Sequence, residues 1–430
     1  MSVTIDEPMT PDQIAEIVAE AMREGRIATL RDVAPLLMER CHLEEADALA
    51  VAEAVSRKWR DRFFPPITRI ELFVTENCNL RCDYCFVEGK NASSAMSWDT
   101  ARQAVDFLFR ESRDRKDLAI FFMGGEPFLR FGLMREVVEY AEEQARSQDK
   151  RVTFSVTTNG TLLNEESVSF CAQHGIMFLL SLDGGQATQD RHRKTAGGQG
   201  SFQLIVERLP LMKRYQPWMG ARMTVHPDTV REMVDNMRLL VTHGFNFFII
   251  GPASGIDWAE HDLDVYEAQM KEIIDEHREA LAKGTHLRID VLRELDNVHD
   301  KVGVWGCQAG RHSITVACNG DIYACSKMLG LNDLEGIYKL GDLDHGITDL
   351  DARAELIGMW AKRNTRCMTC NMADNCSGGC FATNYAATGS IYEPCEADCR
   401  VLAHNLSIRQ YARQVLGGAP VQGDQDACVV

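Results

Sequence analysis

The sequence predicts an α/β fold in which six β–α units form a parallel sheet, preceded by a helical segment and followed by a cysteine-rich one. The first observation is that six short apolar segments between residues 67 and 290 are each followed by a stretch of helical periodicity. The second is that most of the 15 cysteines lie in two groups, at residues 78–85 and 307–399. With 45% hydrophobic and 25% charged residues, the 430-residue chain has the composition of a globular protein.

Residues 1–66 are expected to form a small helical domain. Thr10 and Gln13 have the spacing of a capping box at the start of the first helix. Further helices are predicted to start near Thr29 and to span Leu43–Trp59, and paired prolines then end the segment. No alternating strand pattern appears in this part of the sequence.

The six β–α units fill residues 67–290. Their strands are predicted at Arg69–Val74, Leu118–Met123, Val152–Thr157, Ile176–Ser181, Ala221–Val225 and Phe245–Ile250. Their helices are predicted at Ser97–Phe109, Leu133–Ala145, Asn164–Cys171, Ser201–Met212, Asp228–Leu240 and Asp262–His277. Active-site residues of parallel sheets and barrels gather past the C-terminal ends of the strands, so motifs at those ends are the candidates for chemistry.

Regular periodicity fades beyond about residue 290. We expect residues 291–400 to form a loop-rich domain that metal centres hold together, since cysteine and glycine replace apolar core positions there. Residues 401–430 are predicted to form a final amphipathic helix over 401–416 and a disordered tail.

Charge and composition exclude several classes of function. The formal net charge is −17, from 63 acidic against 46 basic residues, which disfavours nucleic acid and anionic membrane as partners. No apolar stretch approaches the roughly 20 residues of a membrane span, and the acidic N-terminus is no secretory signal. We therefore expect a cytoplasmic protein, in which clustered thiols stay reduced and indicate metal binding.

The first cysteine group is a C-x3-C-x2-C triplet, Cys78, Cys82 and Cys85, in the loop after the first strand. Three thiolates on one short loop can hold three irons of a [4Fe–4S] cluster and leave the fourth iron open to a substrate. They could equally be three ligands of a structural zinc ion, because cysteine spacing does not identify the metal.

With Tyr84 before its last cysteine, this loop resembles the cluster-binding loop of the radical S-adenosylmethionine (radical SAM) superfamily. The resemblance implies a partial (β/α)6 TIM-like barrel over residues 67–290. It also implies a [4Fe–4S] cluster on the three cysteines, whose open iron chelates S-adenosylmethionine, with Tyr84 beside the adenine. In this family the reduced cluster cleaves S-adenosylmethionine to a 5′-deoxyadenosyl radical, which abstracts hydrogen from the substrate.

Three more motifs follow the second, third and fourth strands in the order of the superfamily: Gly-Gly-Glu-Pro, Thr-Thr-Asn-Gly-Thr and Ser-Leu-Asp-Gly. The resemblance implies that the glycines face the methionine amino group and that Ser181 and Arg193 lie near its carboxylate, which suits a guanidinium. A solvated surface residue is the alternative for Arg193. The implied cofactor-binding residues are Tyr84, Gly124, Gly125, Glu126, Asn159, Ser181, Asp183 and Arg193.

The second cysteine group resembles the SPASM extension, which carries two auxiliary iron–sulfur clusters, here expected to be [4Fe–4S]. The resemblance implies one cluster on Cys367, Cys370, Cys376 and Cys399, and another on Cys307, Cys325 and Cys380. Cys318 is a candidate fourth ligand of the latter, which could instead keep an open iron. Cys395 could replace Cys399 or be a free buried thiol. A zinc ribbon is the alternative, although these cysteines exceed one tetrahedral site.

This resemblance implies a maturase that crosslinks a ribosomally made precursor peptide through a thioether or carbon–carbon bond, with a flavodoxin- or ferredoxin-like electron donor. Oxidation of a serine or cysteine in a protein, dehydrogenation of a small molecule and, remotely, a zinc scaffold are alternatives. Ser326 and Lys327 stand where sulfatase maturases carry an aspartate base, which argues against formylglycine formation. No catalytic acid or base is assigned. The N-terminal helices could bind a leader peptide, cap the barrel or form a dimer contact.

Overall fold

The computed structural model describes residues 11–23, 32–58, 64–87, 94–216, 218–290, 309–329, 338–357, 365–372, 376 and 378–416. These residues form a mixed α/β fold around one large sheet of 11 strands. Within the described ranges, none of the helices is both long and apolar enough to cross a membrane.

All six predicted strands are confirmed, with small shifts of their ends. In chain order the strands are β1 (Arg69–Thr75), β2 (Leu80–Cys82), β3 (Asp117–Gly124), β4 (Arg151–Thr158), β5 (Met177–Ser181), β6 (Arg193–Thr195), β7 (Gly220–Val225), β8 (Phe247–Pro252), β9 (Arg288–Ile289), β10 (Ser313–Val316), β11 (Asp321–Tyr323), β12 (Lys339–Asp342) and β13 (Gly346–Ile347). The large sheet has the order β13-β12-β11-β10-β1-β3-β4-β5-β7-β8-β9, and β2 pairs with β6 apart from it. From β10 across to β9, every neighbouring pair is parallel.

The helices of the β–α units cover this sheet and bury one face each. They are Trp98–Glu111, Phe131–Ser147, Glu165–Gln173, Gln186–His192, Phe202–Val206, Leu209–Tyr215, Met233–Thr242 and Glu260–Ala282. The prediction of one helix over Ser201–Met212 is wrong, because two helices occupy that stretch. Pro210 lies in the first turn of the second helix and lacks the N–H that a continuous helix would need.

The cysteine-rich segment is more regular than the sequence predicts. β10 pairs parallel with β1, and β11 to β13 then add antiparallel strands at that edge of the sheet. The described helices of this segment are Ser326–Leu329, Leu350–Ile357, Thr365–Met368, Phe381–Thr388 and Glu396–Leu416. The last begins at Glu396 and not at residue 401, because Glu396 and Asp398 in its first turn complement the helix dipole.

The N-terminal helices are Pro11–Arg23, Val33–Cys41 and Glu45–Lys58, in agreement with the prediction. Thr10, Thr29 and the tail beyond residue 416 lie outside the described residues. The three helices have a core of their own, which includes Val18, Leu37 and Ala354. Because Ala354 belongs to the helix Leu350–Ile357, the N-terminal helices pack against the cysteine-rich segment.

A buried arginine joins the start of the barrel to the cysteine-rich segment. The guanidinium of Arg353 donates to the carbonyl oxygens of Gly310 at 2.9 Å and Pro65 at 2.6 Å. It also lies 5.6 Å from the ring centre of Phe64. Since Phe64 and Pro65 lead directly into β1, Arg353 holds the start of the barrel against the cysteine-rich segment.

Candidate active site

The cysteine triplet lies at the C-terminal end of β1. Cys82 ends β2 and pairs with Arg193 of β6, while the Cys85 N–H donates to the Cys82 carbonyl oxygen at 3.3 Å. The Cys78 sulfur accepts from the Leu80 N–H at 3.4 Å and from the Asn159 side-chain amide at 3.9 Å. Such donors favour the thiolate form, which is the form that binds metal.

The spacing of these sulfur atoms tests which metal centre they fit. Four thiolates at about 2.3 Å from one zinc ion stand less than about 4 Å apart. Among the described residues, no three cysteine sulfurs lie within 4.8 Å of one another. All three sulfur-bearing residues are half-buried. Three thiolates on one short loop are a donor set that an iron–sulfur cluster takes.

The glycine motif after β3 lies directly against the chain that leads into Cys78. A side chain on Gly125 would stand 2.1 Å from the Asn77 carbonyl oxygen, and one on Gly124 2.1 Å from that of Thr75. Two backbone hydrogen bonds join the segments, from Gly125 N–H to Thr75 at 2.8 Å and from Glu126 N–H to Asn77 at 2.9 Å. Only glycine permits this approach, so the motif fixes the position of the cysteine loop.

Glu126 joins the glycine motif to the Thr-Thr-Asn-Gly-Thr segment. Its buried carboxylate accepts hydrogen bonds from the Thr158 hydroxyl at 2.7 Å, the Asn159 N–H at 2.8 Å and the Phe128 N–H at 3.1 Å. Burial raises the pKa of Glu126 to about 7, although these donors act in the opposite direction. Asn159 in turn donates to the Asn79 side chain at 2.8 Å. Two motifs that are distant in sequence thus meet at the cysteine loop.

The Ser-Leu-Asp-Gly segment contributes a buried ion pair. Arg193 donates to both carboxylate oxygens of Asp183, at 2.8 and 3.0 Å, and the Thr224 N–H donates to Asp183 at 2.8 Å. The Tyr84 hydroxyl also donates to Asp183, and the guanidinium lies 5.2 Å from the Tyr84 ring centre. Burial alone lowers the pKa of Arg193, but Asp183 outweighs it and raises that pKa. The alternative of a solvated Arg193 is wrong, since 7% of the residue is exposed.

Arg222 is a second guanidinium at this site that sequence reasoning missed. It lies in β7 beside Ser181, the last residue of β5, and its charge interacts with those of Asp183 and Arg193. Burial lowers the pKa of Arg222. A charged residue inside an otherwise apolar strand was the available signal, because such residues are rarely buried without a role.

Four cysteines of the second group come together. The pKa of Cys399 is raised to about 11, mainly by burial and also by Cys376, Cys367 and Cys370, against the opposing charge of Arg366. The N–H groups of Met372 and Gly378 donate to the sulfurs of Cys370 and Cys376, at 3.5 and 3.3 Å. These are the four cysteines that the resemblance to the SPASM extension assigns to one auxiliary cluster, an assignment that stays a prediction.

Cys325, Cys380 and Cys395 belong to segments near this quartet. Asp398 accepts a hydrogen bond from the Cys380 N–H and interacts with Lys327, so the segments of Cys380 and Cys325 are neighbours. Cys395 precedes the last helix, and its N–H donates to the buried Asn384 side chain at 2.9 Å. Cys307 lies outside the described residues.

Cys318 lies apart from that group, beside β1. Its sulfur donates to the Phe73 carbonyl oxygen at 2.9 Å, and burial raises the pKa of the thiol. A thiol that donates a hydrogen bond keeps its proton, whereas a metal ligand must lose it. Cluster ligation by Cys318 stays a prediction, and this hydrogen bond would have to break for it.

Comparisons with known proteins agree with this arrangement. A family model described as the radical SAM superfamily matches residues 72–241. A cysteine-type anaerobic sulfatase-maturating enzyme of Clostridium novyi is 23% identical over 333 residues, which cover 71% of this chain and 85% of that protein.

Two solved structures share the fold. The structure of anSMEcpe with bound AdoMet and the Cp18Cys peptide has a TM-score of 0.67 and 19% identity, covering 82% of this chain and all of that one. Streptococcus suis SuiB bound to the precursor peptide SuiA has a TM-score of 0.58 and 14% identity, covering 89% and 88%. The family model spans the cysteine loop, the glycine motif and the Asp183–Arg193 pair, and it identifies residues 72–241 as a radical SAM domain, in an enzyme whose cofactors are S-adenosylmethionine and iron–sulfur clusters.

Proposed function

We propose that this radical SAM enzyme abstracts hydrogen from a peptide and installs a thioether or carbon–carbon crosslink. The observation that carries the proposal is the convergence of Cys367, Cys370, Cys376 and Cys399, which would hold a second metal centre. Bond formation after hydrogen abstraction leaves one electron over, and a nearby auxiliary cluster is a suitable acceptor for it. A fold shared with SuiB bound to a precursor peptide supports a peptide as the substrate class.

In this proposal Cys78, Cys82 and Cys85 hold the first cluster. When bound, this cluster and S-adenosylmethionine supply the 5′-deoxyadenosyl radical. The N–H groups of Leu80 and Asn159 donate to the Cys78 sulfur, and the two glycines hold the loop against β3. These residues therefore set the position of the loop before any substrate arrives.

The residues around Asp183 would orient S-adenosylmethionine. Because Nε and Nη2 of Arg193 engage both oxygens of Asp183, this arginine is held rigidly, and the pair leaves Nη1 unused. Arg222 beside Ser181 supplies a second cation for a carboxylate. We assign the carboxylate of the methionine group to Ser181, Arg193 and Arg222 together, with Tyr84 beside the adenine and the backbone of Gly124 and Gly125 at the amino group.

The domain boundaries follow from the same proposal. We assign residues 67–290 to the radical SAM barrel, 291–400 to a SPASM domain with two auxiliary clusters, and 401–430 to the C-terminal helix and tail. We assign residues 1–66 to an N-terminal helical domain that caps the cysteine-rich segment, which the shared core of its described helices with Ala354 supports. A flavodoxin- or ferredoxin-like protein in the cytoplasm would supply the reducing electron.

Oxidation of a cysteine or serine in a protein substrate is the second candidate. Its support is the similarity to the cysteine-type sulfatase-maturating enzyme and to anSMEcpe. Lys327 is the second residue after Cys325. Its Nζ lies 3.2 Å from Oγ of Ser254, just beyond β8, at the sheet edge that carries the other motifs. A cation at this place cannot act as the carboxylate base that this oxidation uses, which favours crosslinking.

Mass spectrometry of two kinds of peptide distinguishes the candidates. The reduced protein is incubated with S-adenosylmethionine and either the Cp18Cys peptide or any short cysteine-, glycine- or aromatic-rich peptide that is encoded beside its gene. Crosslinking removes a pair of hydrogens from the encoded peptide and leaves Cp18Cys unchanged. Conversion of the Cp18Cys cysteine to an aldehyde would instead establish the second candidate, and release of 5′-deoxyadenosine with neither peptide changed would contradict both.

A further inference from the structure

Asp83 of the cysteine loop and three side chains beside it form a cluster that the proposed chemistry does not use. The ring of His192 is buried, with Nε2 2.9 Å from Asp228 Oδ1 and Nδ1 2.8 Å from Asp83 Oδ2. His226 Nδ1 lies 2.7 Å from the same oxygen of Asp228. Two imidazole nitrogens from different segments therefore converge on one carboxylate oxygen.

We propose that His192, His226 and Asp228 bind a divalent transition-metal ion, of which Zn²⁺ is the best match. One ligand atom from each residue lies within 4.8 Å of the other two, which is close enough for one ion. Two imidazoles and a carboxylate are a ligand set that zinc uses, with a further position left for water. This inference is independent of the proposed peptide substrate.

Asp83 supplies the partner that a metal-binding histidine normally has. A ligating imidazole usually donates its other N–H to a carboxylate, which fixes the tautomer and orients the ring. Asp83 lies at Nδ1 of His192, opposite the nitrogen that faces Asp228. A neutral His192 then has its lone pair on Nε2, directed at the proposed ion.

The charges and the exposure of the cluster are compatible with an ion. Asp228 is half-exposed and His226 is partly exposed, which leaves a path for an ion to enter. Arg191 is the nearest opposing cation, at 3.8 Å from Asp228 Oδ2. It faces the other carboxylate oxygen, so that Oδ1 stays available between the two rings.

The ion would connect two parts of the active site. His226 and Asp228 follow β7, whereas His192 precedes β6, which pairs with the cysteine-bearing β2. The ring centre of His192 also lies 5.8 Å from that of Tyr84. Binding would therefore brace the Tyr84 side of the cysteine loop against the end of β7.

Zinc counting on the cluster-loaded protein tests the proposal. After anaerobic dialysis against micromolar Zn²⁺, elemental analysis should find one zinc per chain in addition to iron. X-ray absorption at the zinc edge should show nitrogen and oxygen at about 2.0–2.1 Å. A sulfur shell at about 2.3 Å would place zinc in a cluster position, and an absence of zinc would leave a purely hydrogen-bonded network; either result overturns the proposal.

Three variants locate the ion. His226→Ala should abolish stoichiometric zinc while iron and the circular dichroism spectrum stay unchanged, since His226 is partly exposed. Asp83→Ala should weaken zinc binding about 10–100-fold, the usual effect of losing an orienting carboxylate. His174→Gln is the matched control, because His174 Nδ1 also lies 2.9 Å from a carboxylate oxygen, that of Glu142, and, among the described residues, belongs to no group of ligands close enough to share an ion. Zinc retained in His226→Ala, or lost in the control, would overturn the assignment.

Discussion

Replacing Gly125 by alanine should disable the active site through one methyl group. The added carbon would stand 2.1 Å from the Asn77 carbonyl oxygen, whereas ordinary contact begins at 3.4 Å. The Asn77 carbon at 2.4 Å and the Glu76 oxygen at 2.6 Å are also backbone atoms, so no flexible side chain can move aside. One of the two segments must therefore shift by more than about 1 Å, a displacement that costs about 100-fold in rate when it misplaces reacting groups.

The shift reaches the cluster directly, because Asn77 precedes Cys78. We expect Gly125→Ala to lower the release of 5′-deoxyadenosine at least about 100-fold and to reduce the iron bound by the cysteine loop. The overpacking itself should cost about 1–3 kcal/mol of stability. Gly132→Ala is the matched control, since nothing lies within 4 Å of the added carbon in the helix Phe131–Ser147.

The assay is anaerobic release of 5′-deoxyadenosine with dithionite as reductant, together with iron content. The control should keep wild-type activity and gain stability, because alanine favours a helix by about 1 kcal/mol over glycine. Wild-type iron and activity within about twofold in Gly125→Ala would refute the inferred contact between the glycine motif and the cysteine loop.

Further predictions concern buried charges. Asp183→Asn leaves buried Arg193 without its partner and should lower the free energy of unfolding, measured in urea, by about 3–5 kcal/mol. In the double variant that also carries Arg193→Met, the loss should be smaller than the sum of the losses in the two single variants. A loss equal to that sum would contradict the pairing. Arg353→Ala removes charged hydrogen bonds worth about 1.5–3 kcal/mol and should speed proteolysis near Phe64. An unchanged rate of proteolysis would contradict the role of Arg353 in holding this segment. The raised pKa of Glu126 means that the folded state favours the protonated carboxyl. The contribution of this preference to the stability of the fold is complete below pH 4.5 and is lost as pH rises through about 7. Wild type should therefore lose about 3 kcal/mol relative to Glu126→Gln between these limits, and a pH-independent difference would contradict the shift.

Local sequence signals predicted the strands that carry the site. Central strands such as β1 and β3 are short apolar runs because helices and neighbouring strands bury them, and their order along the chain sets the order of the motifs. The glycine motif was also predictable, since it follows β3 directly. What it touches was not predictable, because the contact with Asn77 depends on how two distant loops are placed.

Non-local pairings account for what the sequence did not predict. β10 joins β1 although about 240 residues separate them, and its few residues show too little alternation to be recognised. Cys82 pairs with Arg193 through two strands of the same short kind. That pairing buries Arg193 against Asp183 and places His192 behind Tyr84, so neither residue could be distinguished from a solvated one by its neighbours in sequence.

The central claim is that the first cysteine triplet holds the radical-generating cluster and that other cysteines hold separate clusters. Iron counting and 5′-deoxyadenosine release in the Cys78→Ala/Cys82→Ala/Cys85→Ala variant test it most directly. The wild-type protein should contain about 8–12 irons, and the variant should lose about four of them together with all release of 5′-deoxyadenosine. A variant that still cleaves S-adenosylmethionine, or a colourless wild-type protein that contains zinc alone, would contradict the claim.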